Sequence, residues 1–261
     1  MYSEFLQHKQ IRGVSPLVPI LIILLASCTV KERREHCPCL LSLQVEGGGP
    51  RPLRLWTSSA LGSQAFTLHG AADTTLTLAV AKSGALVLAG AACPPAFPEE
   101  GVRIPEGEDC PPVWLFSSRV DTGCDGLTVP VRLHKHYCTL SLSLRGAAGD
   151  GEPFWTEVRG EVCGLSSGGR PLPGRFHCRL EPGGSVRLPR QAPSDALWLD
   201  VCLKDGAVRS FALGTLLLQS DYDWSAEDLE DIPLSLELSV TALRLRFPSW
   251  EDRTIPVEIK I

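Results

Sequence analysis

Two histidines and a cysteine at alternate positions, His134, His136 and Cys138, are the side chains of this 261-residue chain whose spacing first suggests chemistry. Period-two spacing on a strand puts the two imidazoles on one face, and an imidazole beside a thiol is the start of a base–nucleophile pair. Surface-facing histidines at the end of a strand explain the same residues more simply, and that reading is preferred. Cys37-Pro38-Cys39 and the His134–Cys138 stretch offer metal-ligand types, yet neither has zinc-knuckle spacing and no second CxxC pair accompanies them. The acidic cluster Asp221, Asp223, Glu227, Asp228, Glu230 and Asp231 opens like a calcium loop. It then places Ala226 where glycine is required and Ile232 where the bidentate glutamate belongs, so a solvated acidic turn is the better reading. There is no GxSxG elbow, no phosphate-binding glycine loop and no HExxH. The expectation is a protein that is not an enzyme, with no catalytic residue, no metal and no cofactor.

The ten cysteines otherwise read as structural. Cys163 and Cys178 flank the turn GLSSGGRPLPG and are a candidate disulfide, with two small buried hydrophobes as the alternative. A Cys93–Cys110 bridge is a second candidate, closing a proline-rich excursion from Cys93 to Pro112. Once Cys28 is set aside the count is odd, so at least one thiol is left over, and the pairing stays open.

The amino terminus predicts export. A weakly basic start with Lys9 and Arg12 precedes the apolar run Val14–Ala26, interrupted by Pro16 and Pro19. The run is shorter than the roughly 20 residues of a membrane-spanning helix and has the length of a signal-peptide core. It ends in Leu25-Ala26-Ser27-Cys28, which looks like a bacterial lipobox. That resemblance implies recognition of Leu25, Ala26 and Ser27 by a lipoprotein signal peptidase, acylation of the Cys28 thiol and cleavage before it. The alternatives are an ordinary cleaved signal peptide and, less favoured, a transmembrane anchor. The net charge of -5, with only Lys31–Glu35 as a mixed charged tether, makes nucleic acid a poor partner.

Beyond the tether the chain alternates apolar and polar residues in short runs. Leu41, Leu43 and Val45 oppose Ser42 and Gln44; Leu140, Leu142 and Leu144 oppose Ser141 and Ser143. Twenty-four glycines and 21 prolines punctuate these runs, as many short strands require. Lys82-Ser83-Gly84 and Asp205-Gly206 each predict a hairpin, Gly214–Gln219 a helical fragment, and Ser225 the cap of one helical turn. Thr241-Ala242 predicts a tight turn or bulge. Arg145–Pro153 predicts a domain boundary. The organisation expected is a signal peptide (1–27), a tether (28–38) and two all-β domains (39–146 and 147–261).

The lipobox, KERREHCPCLLSL (31–43), IPEGEDCPPVW (104–114), VRLHKHYCTLSLSLRG (131–146), LPRQ (188–191), FALG (211–214) and DYDWSAEDLEDI (221–232), in this order, make the chain similar to the FimB/Mfa-type fimbrial anchor lipoproteins of Bacteroidetes. The resemblance implies two tandem transthyretin-like β-sandwich domains and attachment to the cell outer membrane by the lipid on Cys28. It also implies a role at the base of a fimbria, with a fimbrial subunit as partner.

Such a subunit can be held by strand addition, in which main-chain hydrogen bonds provide affinity and side-chain pockets specificity. The terminal run Thr254–Ile261 is one candidate donor strand; an ordinary last strand of the second domain is the preferred alternative. A surface lipoprotein that binds glycan is the competing function, and three or more of Trp56, Trp114, Trp155, Trp198, Trp224 and Trp250 on one exposed face would favour it.

Overall fold

The computed structural model describes residues 37–94, 97–145, 155–181, 183–193, 196–203, 206–238, 242–247 and 257–260. The leader, Leu25, Ala26, Ser27, Cys28, most of the tether, the expected boundary loop beyond Arg145, the turn at Thr241 and the first residues of the terminal run lie outside them.

Alternation is converted directly into strands. Cys39, Leu41, Leu43 and Val45 are buried along β1 (Cys39–Val45), while Leu40 and Gln44 face out. β2 (Leu53–Ser59), β3 (Gly62–Leu68), β4 (Thr74–Val80), β5 (Ala85–Ala91), β6 (Val102–Arg103), β7 (Trp114–Val120), β8 (Gly126–Val131) and β9 (His134–Lys135) follow. Two sheets run in the orders β4-β1-β8 and β3-β2-β5-β7-β9. Leu41, Leu43, Leu53, Leu55, Val87 and Ala89 from their facing sides form one core.

The second half repeats the plan. β10 (Tyr137–Arg145), β13 (Ser185–Pro189), β16 (Ile232–Leu238), β17 (Ala242–Arg246) and β18 (Val257–Lys260) form a sheet in the order β13-β10-β16-β17-β18. β12 (Pro171–Leu180), β11 (Trp155–Leu165), β14 (Trp198–Cys202) and β15 (Val208–Phe211) form the other, with β6 joined to β11. Leu140, Leu142, Val158, Phe176, Leu199, Phe211 and Ile232 share the second core. In each half the first strand pairs antiparallel with the fourth and parallel with the last of the shared set: β1 with β4 and β8, β10 with β13 and β16. The architecture is all-β, two sandwiches in tandem, as the sequence predicts. Among the described residues one short helix, α1 (Leu213–Gln219), lies where the helical fragment is expected.

Several local expectations are corrected. β10, expected in the N-terminal domain, belongs to the second core, because Cys138, Leu140 and Leu142 are buried against Leu188, Val186 and Leu234. The Lys82–Gly84 turn does not close a hairpin: β4 pairs with β1 and β5 with β2 and β7, so this turn crosses between sheets. β14 and β15 do pair as the expected hairpin, with Cys202 opposite Val208, while Asp205 lies outside the described residues. The proline-rich segment from Cys93 is a surface excursion only in part: residues 105–108 and Pro112 are exposed, but its apolar side chains turn inward. Phe97, Val102 and Val113 are buried with Leu115 and Leu165, and β6 adds to β11 through Leu165↔Val102. Prolines remove ladder donors, but apolar side chains still bury, and here they form the seam between the sandwiches. Gly164 permits the contact: a Cβ there would collide with the Val102 carbonyl.

Candidate functional site

Three segments far apart in sequence meet at one end of the second sandwich. The first is His134–Thr139, entering β10; the second is Pro189–Pro193, leaving β13; the third is Tyr222–Asp231, the connection from α1 into β16. Backbone pairing sets the frame. The His136 N–H donates to the Val113 carbonyl at 3.1 Å and the Arg190 N–H to the His136 carbonyl at 3.0 Å. Asp228 Oδ1 accepts from the Lys135 N–H at 2.6 Å. Asp231 Oδ1 accepts from the Thr139 N–H at 2.6 Å and from Lys135 Nζ at 2.7 Å. The acidic cluster thus fastens a loop to a strand. Among the described residues no group of three or more His, Cys, Asp and Glu side chains is placed to hold a metal. Ser225 caps no helix; its N–H and hydroxyl donate to Asp223 Oδ1 at 2.7 and 2.6 Å, closing a turn.

Arg190 is the hub and is 8% exposed. Its Nε donates to His136 Nδ1 at 3.1 Å, Nη1 donates to the Trp224 carbonyl, and Nη2 donates to the Glu227 carbonyl at 3.1 Å. Accepting from a guanidinium requires the His136 imidazole to be neutral at Nδ1. Burial, then the Arg190 and His134 charges, push its pKa down to about 4. Burial alone would raise the Asp228 carboxyl, but the Lys135 N–H and His134 outweigh it and hold it below the usual range. His134 Nδ1 lies 3.6 Å from Asp228 Oδ2 and is buried without a hydrogen bond. Gly169, at φ +75°, lets the β11–β12 turn close over the ring of His136, where a Cβ would strike the imidazole.

These residues line an open cleft of about 460 Å3, walled by Pro171, Ala192, Pro193, Trp224 and Ala226, with His134, His136 and Arg190 along its floor. The Cys138 thiol is not part of it. That side chain is fully buried in the second core, and burial raises its pKa to about 12. A protonated thiol facing the core is not an activated nucleophile, so the base–nucleophile pair is not assembled. Apolar walls with a fixed polar floor suit non-covalent binding. The sequence reading located the histidines but missed Arg190 and Trp224 as site residues. Their only signal was membership of LPRQ and DYDWSAEDLEDI, since no spacing rule joins residues so far apart.

The cysteines do not pair as expected. Cys178 stands opposite Val158, whereas Cys163 lies beside the Pro173 it bonds at 3.4 Å. Five residues along one strand separate those positions by about 16 Å, beyond the Cα limit of about 7 Å for a bridge. Cys178 Sγ instead donates to Asp109 Oδ1 at 3.4 Å. Cys93 borders the seam, while Cys110 is buried in the second core with its thiol on the Pro111 carbonyl. All four are free thiols.

A second, larger groove of about 720 Å3 crosses β11, β12 and β14 and includes Glu157, Arg159, Arg175, His177 and Trp198. Arg159 lies over the Trp198 ring at 5.1 Å while its Nε pairs with Asp200 at 2.6 Å. Arg179 lies over Trp155 at 5.8 Å. Of the other tryptophans, Trp224 is buried, Trp56 packs on Phe97 and Trp114 on Tyr137. No exposed three-tryptophan face is present among the described residues, and Trp250 lies outside them.

No family model and no curated protein matches the sequence. Solved structures do match. A protein described as polysaccharide-binding from Bacteroides thetaiotaomicron aligns with a TM-score of 0.59 at 11% identity, over 85% of this chain and 98% of that one. A protein described as an adhesin from Bacteroides ovatus aligns at 0.58 and 11%, over 85% and 95%. The fimbrial anchor protein Mfa2 from Porphyromonas gingivalis aligns at 0.56 and 11%, over 81% and 98%. The chain therefore has the tandem-sandwich fold of an Mfa-type fimbrial anchor and of Bacteroides adhesins.

Proposed function

We propose that the protein is a lipid-anchored subunit of the cell outer membrane that anchors a fimbria or adhesin filament through strand-mediated contact with a fimbrial subunit. The observation that carries this reading is the likeness to Mfa2, described as a fimbrial anchor, which takes in nearly all of that chain. The lipobox at Leu25–Cys28 supports the membrane attachment: no helix among the described residues is long and apolar enough to cross a membrane, and an acyl anchor on Cys28 needs none.

The edges of the sheets differ in their fitness for strand addition. Natural edges are blunted by charge and proline. β12 carries Pro171, Pro173, Arg175 and Arg179, β13 ends in Pro189, and β8 contains Pro130. β3, Gly-Ser-Gln-Ala-Phe-Thr-Leu, and β4, Thr-Thr-Leu-Thr-Leu-Ala-Val, are edges with neither charge nor proline, and of the two β3 is the more exposed, paired among the described residues with β2 alone. We assign it as the acceptor edge. β18 ends its sheet, paired on one side with β17 as an ordinary last strand of the second domain would be; the terminal run stays one candidate donor beside that preferred alternative.

Membrane fractionation and co-purification test the two halves separately. Cys28→Ser should move the protein out of the membrane fraction; unchanged retention sinks the lipid anchor. Lysines at the exposed positions Ala65 and Thr67 should abolish capture of a filament subunit while leaving membrane retention intact. Undiminished capture would remove β3 from the mechanism. The glycan alternative has less support, because Arg159 and Arg179 already cover the aromatic faces of Trp198 and Trp155.

A further inference from the structure

Cys39 opens β1 directly after the tether, with its side chain fully buried, and Cys124 sits exposed in the turn from β7 to β8. β1 and β8 run parallel with Leu40 opposite Gly126, and the Leu40 N–H donates to the Asp125 carbonyl at 2.9 Å. Cys39 therefore faces Asp125 and lies one residue off Cys124. A strand spacing of about 4.8 Å with an offset of about 3.3 Å puts the two Cα atoms about 5.8 Å apart, inside the range a disulfide spans. The side chains converge as well: besides burial, the Cys124 thiol is near enough to help raise the Cys39 pKa. Cys124 Sγ also donates to the Gly126 carbonyl at 3.2 Å, and the 2.6 Å Lys82–Asp125 ion pair braces the turn beside it. Burial raises the Cys39 pKa, and the nearby Lys82 ammonium acts in the opposite direction.

We infer that Cys39 and Cys124 form an intramolecular disulfide in the exported protein, locking the start of β1 to the turn before β8. An oxidising compartment is required, so the inference rests on the proposed export. The oxidant is a disulfide, on an oxidoreductase or a small molecule. The Cys124 thiolate, reachable from solvent, attacks one sulfur of that disulfide and expels a thiolate. The Cys39 thiolate then displaces the second half. One oxidant disulfide becomes two thiols, and two protein thiols lose two electrons and two protons. The bond would join the strand nearest the tether to the last strand of its sheet, so that tension entering before residue 39 passes into β8 covalently and not by peeling the β1 hydrogen bonds.

Oxidation of the reduced, folded full chain with glutathione disulfide, followed by alkylation and non-reducing peptide mapping, tests the pairing. The expected product is a Cys39–Cys124 linked peptide that is lost completely in Cys124→Ser and kept in Cys37→Ser. Both thiols alkylated, or a Cys37–Cys124 link in its place, would overturn it. Alkylation of protein taken directly from cells separates the two readings. If the purified chain forms the link while the cellular protein has both thiols free, the geometry stands and the exported disulfide fails together with the proposed export.

Discussion

The two sandwiches share one strand plan and differ in the connection into their last common strand. In the first, β7 reaches β8 through the tight turn Asp121–Asp125, held by Thr122, whose hydroxyl accepts from the Gly84 N–H at 2.9 Å and donates to the Ala81 carbonyl at 2.5 Å. In the second, β15 reaches β16 by way of α1 and the Tyr222–Asp231 stretch, which packs Tyr222 and Trp224 edge to face at 4.7 Å and wraps Arg190. The same topological position thus carries a cysteine turn in one half and one wall of an open cleft in the other. A strand order tolerates long insertions at a connection because loop closure costs grow only slowly with length. What the insertion must do is satisfy its own backbone and hold its place: buried Arg190 caps the Trp224 and Glu227 carbonyls, while Asp228 and Asp231 fasten the stretch to the Lys135 and Thr139 N–H groups.

Arg190→Ala should have the largest effect. It strands the Trp224 and Glu227 carbonyls, and hydrogen bonds to a charged donor contribute about 1.5–3 kcal/mol each, so a loss of about 3–6 kcal/mol in denaturant unfolding is expected. Hydrogen exchange should localise the opening to 222–231, and equal deprotection of β8 would erase the distinction between the halves. Next comes pH. The folded pKa of His136 lies near 4, below its ordinary 6.5, so the unfolded chain binds more protons between those values. The stability contributed by the neutral ring is complete above pH 6.5 and lost as pH falls toward 4. The full loss is about 3 kcal/mol. His136→Gln should flatten that slope in urea midpoints measured from pH 7 to 4; an unchanged slope removes His136 as its source.

Smaller effects distinguish the short connection. Thr122→Val leaves the Gly84 N–H and Ala81 carbonyl without their partner and should cost about 1–2 kcal/mol, with faster exchange at β8 and none at 222–231. Asp228→Asn takes the charge off the acceptor of the Lys135 N–H at a half-exposed position, leaving a neutral amide oxygen, and should cost about 1 kcal/mol. A larger loss there than in Arg190→Ala would reverse the ranking of hub and fastener.

Local pattern foretold much of this molecule. Leu41, Leu43 and Val45, or Leu140 and Leu142, declare a buried face at period two, and α1 and the Asp205-Gly206 hairpin follow from equally local signals. The cleft was legible only in pieces. His134 and His136 stood out by spacing; Arg190 did not, because its partners lie at the β10 entrance and in the 222–231 connection, and no sequence interval encodes that meeting. Cys163 and Cys178 looked like partners because a turn lies between them, yet the register of β11 and β12 sets Val158 against Cys178.

By itself, then, the sequence determined the all-β class, the inward and outward faces of the strands and the expectation of two domains after an exported leader, since side-chain alternation is a property of each strand alone. Only the tertiary structure decided that β4 joins β1 and not β5, that β10 belongs to the second core, that a proline-rich segment forms the seam, and that Cys39 approaches Cys124. Alternation fixes which face of a strand must be buried and says nothing of which strand lies beside it; that choice is made by the packing of whole sheets.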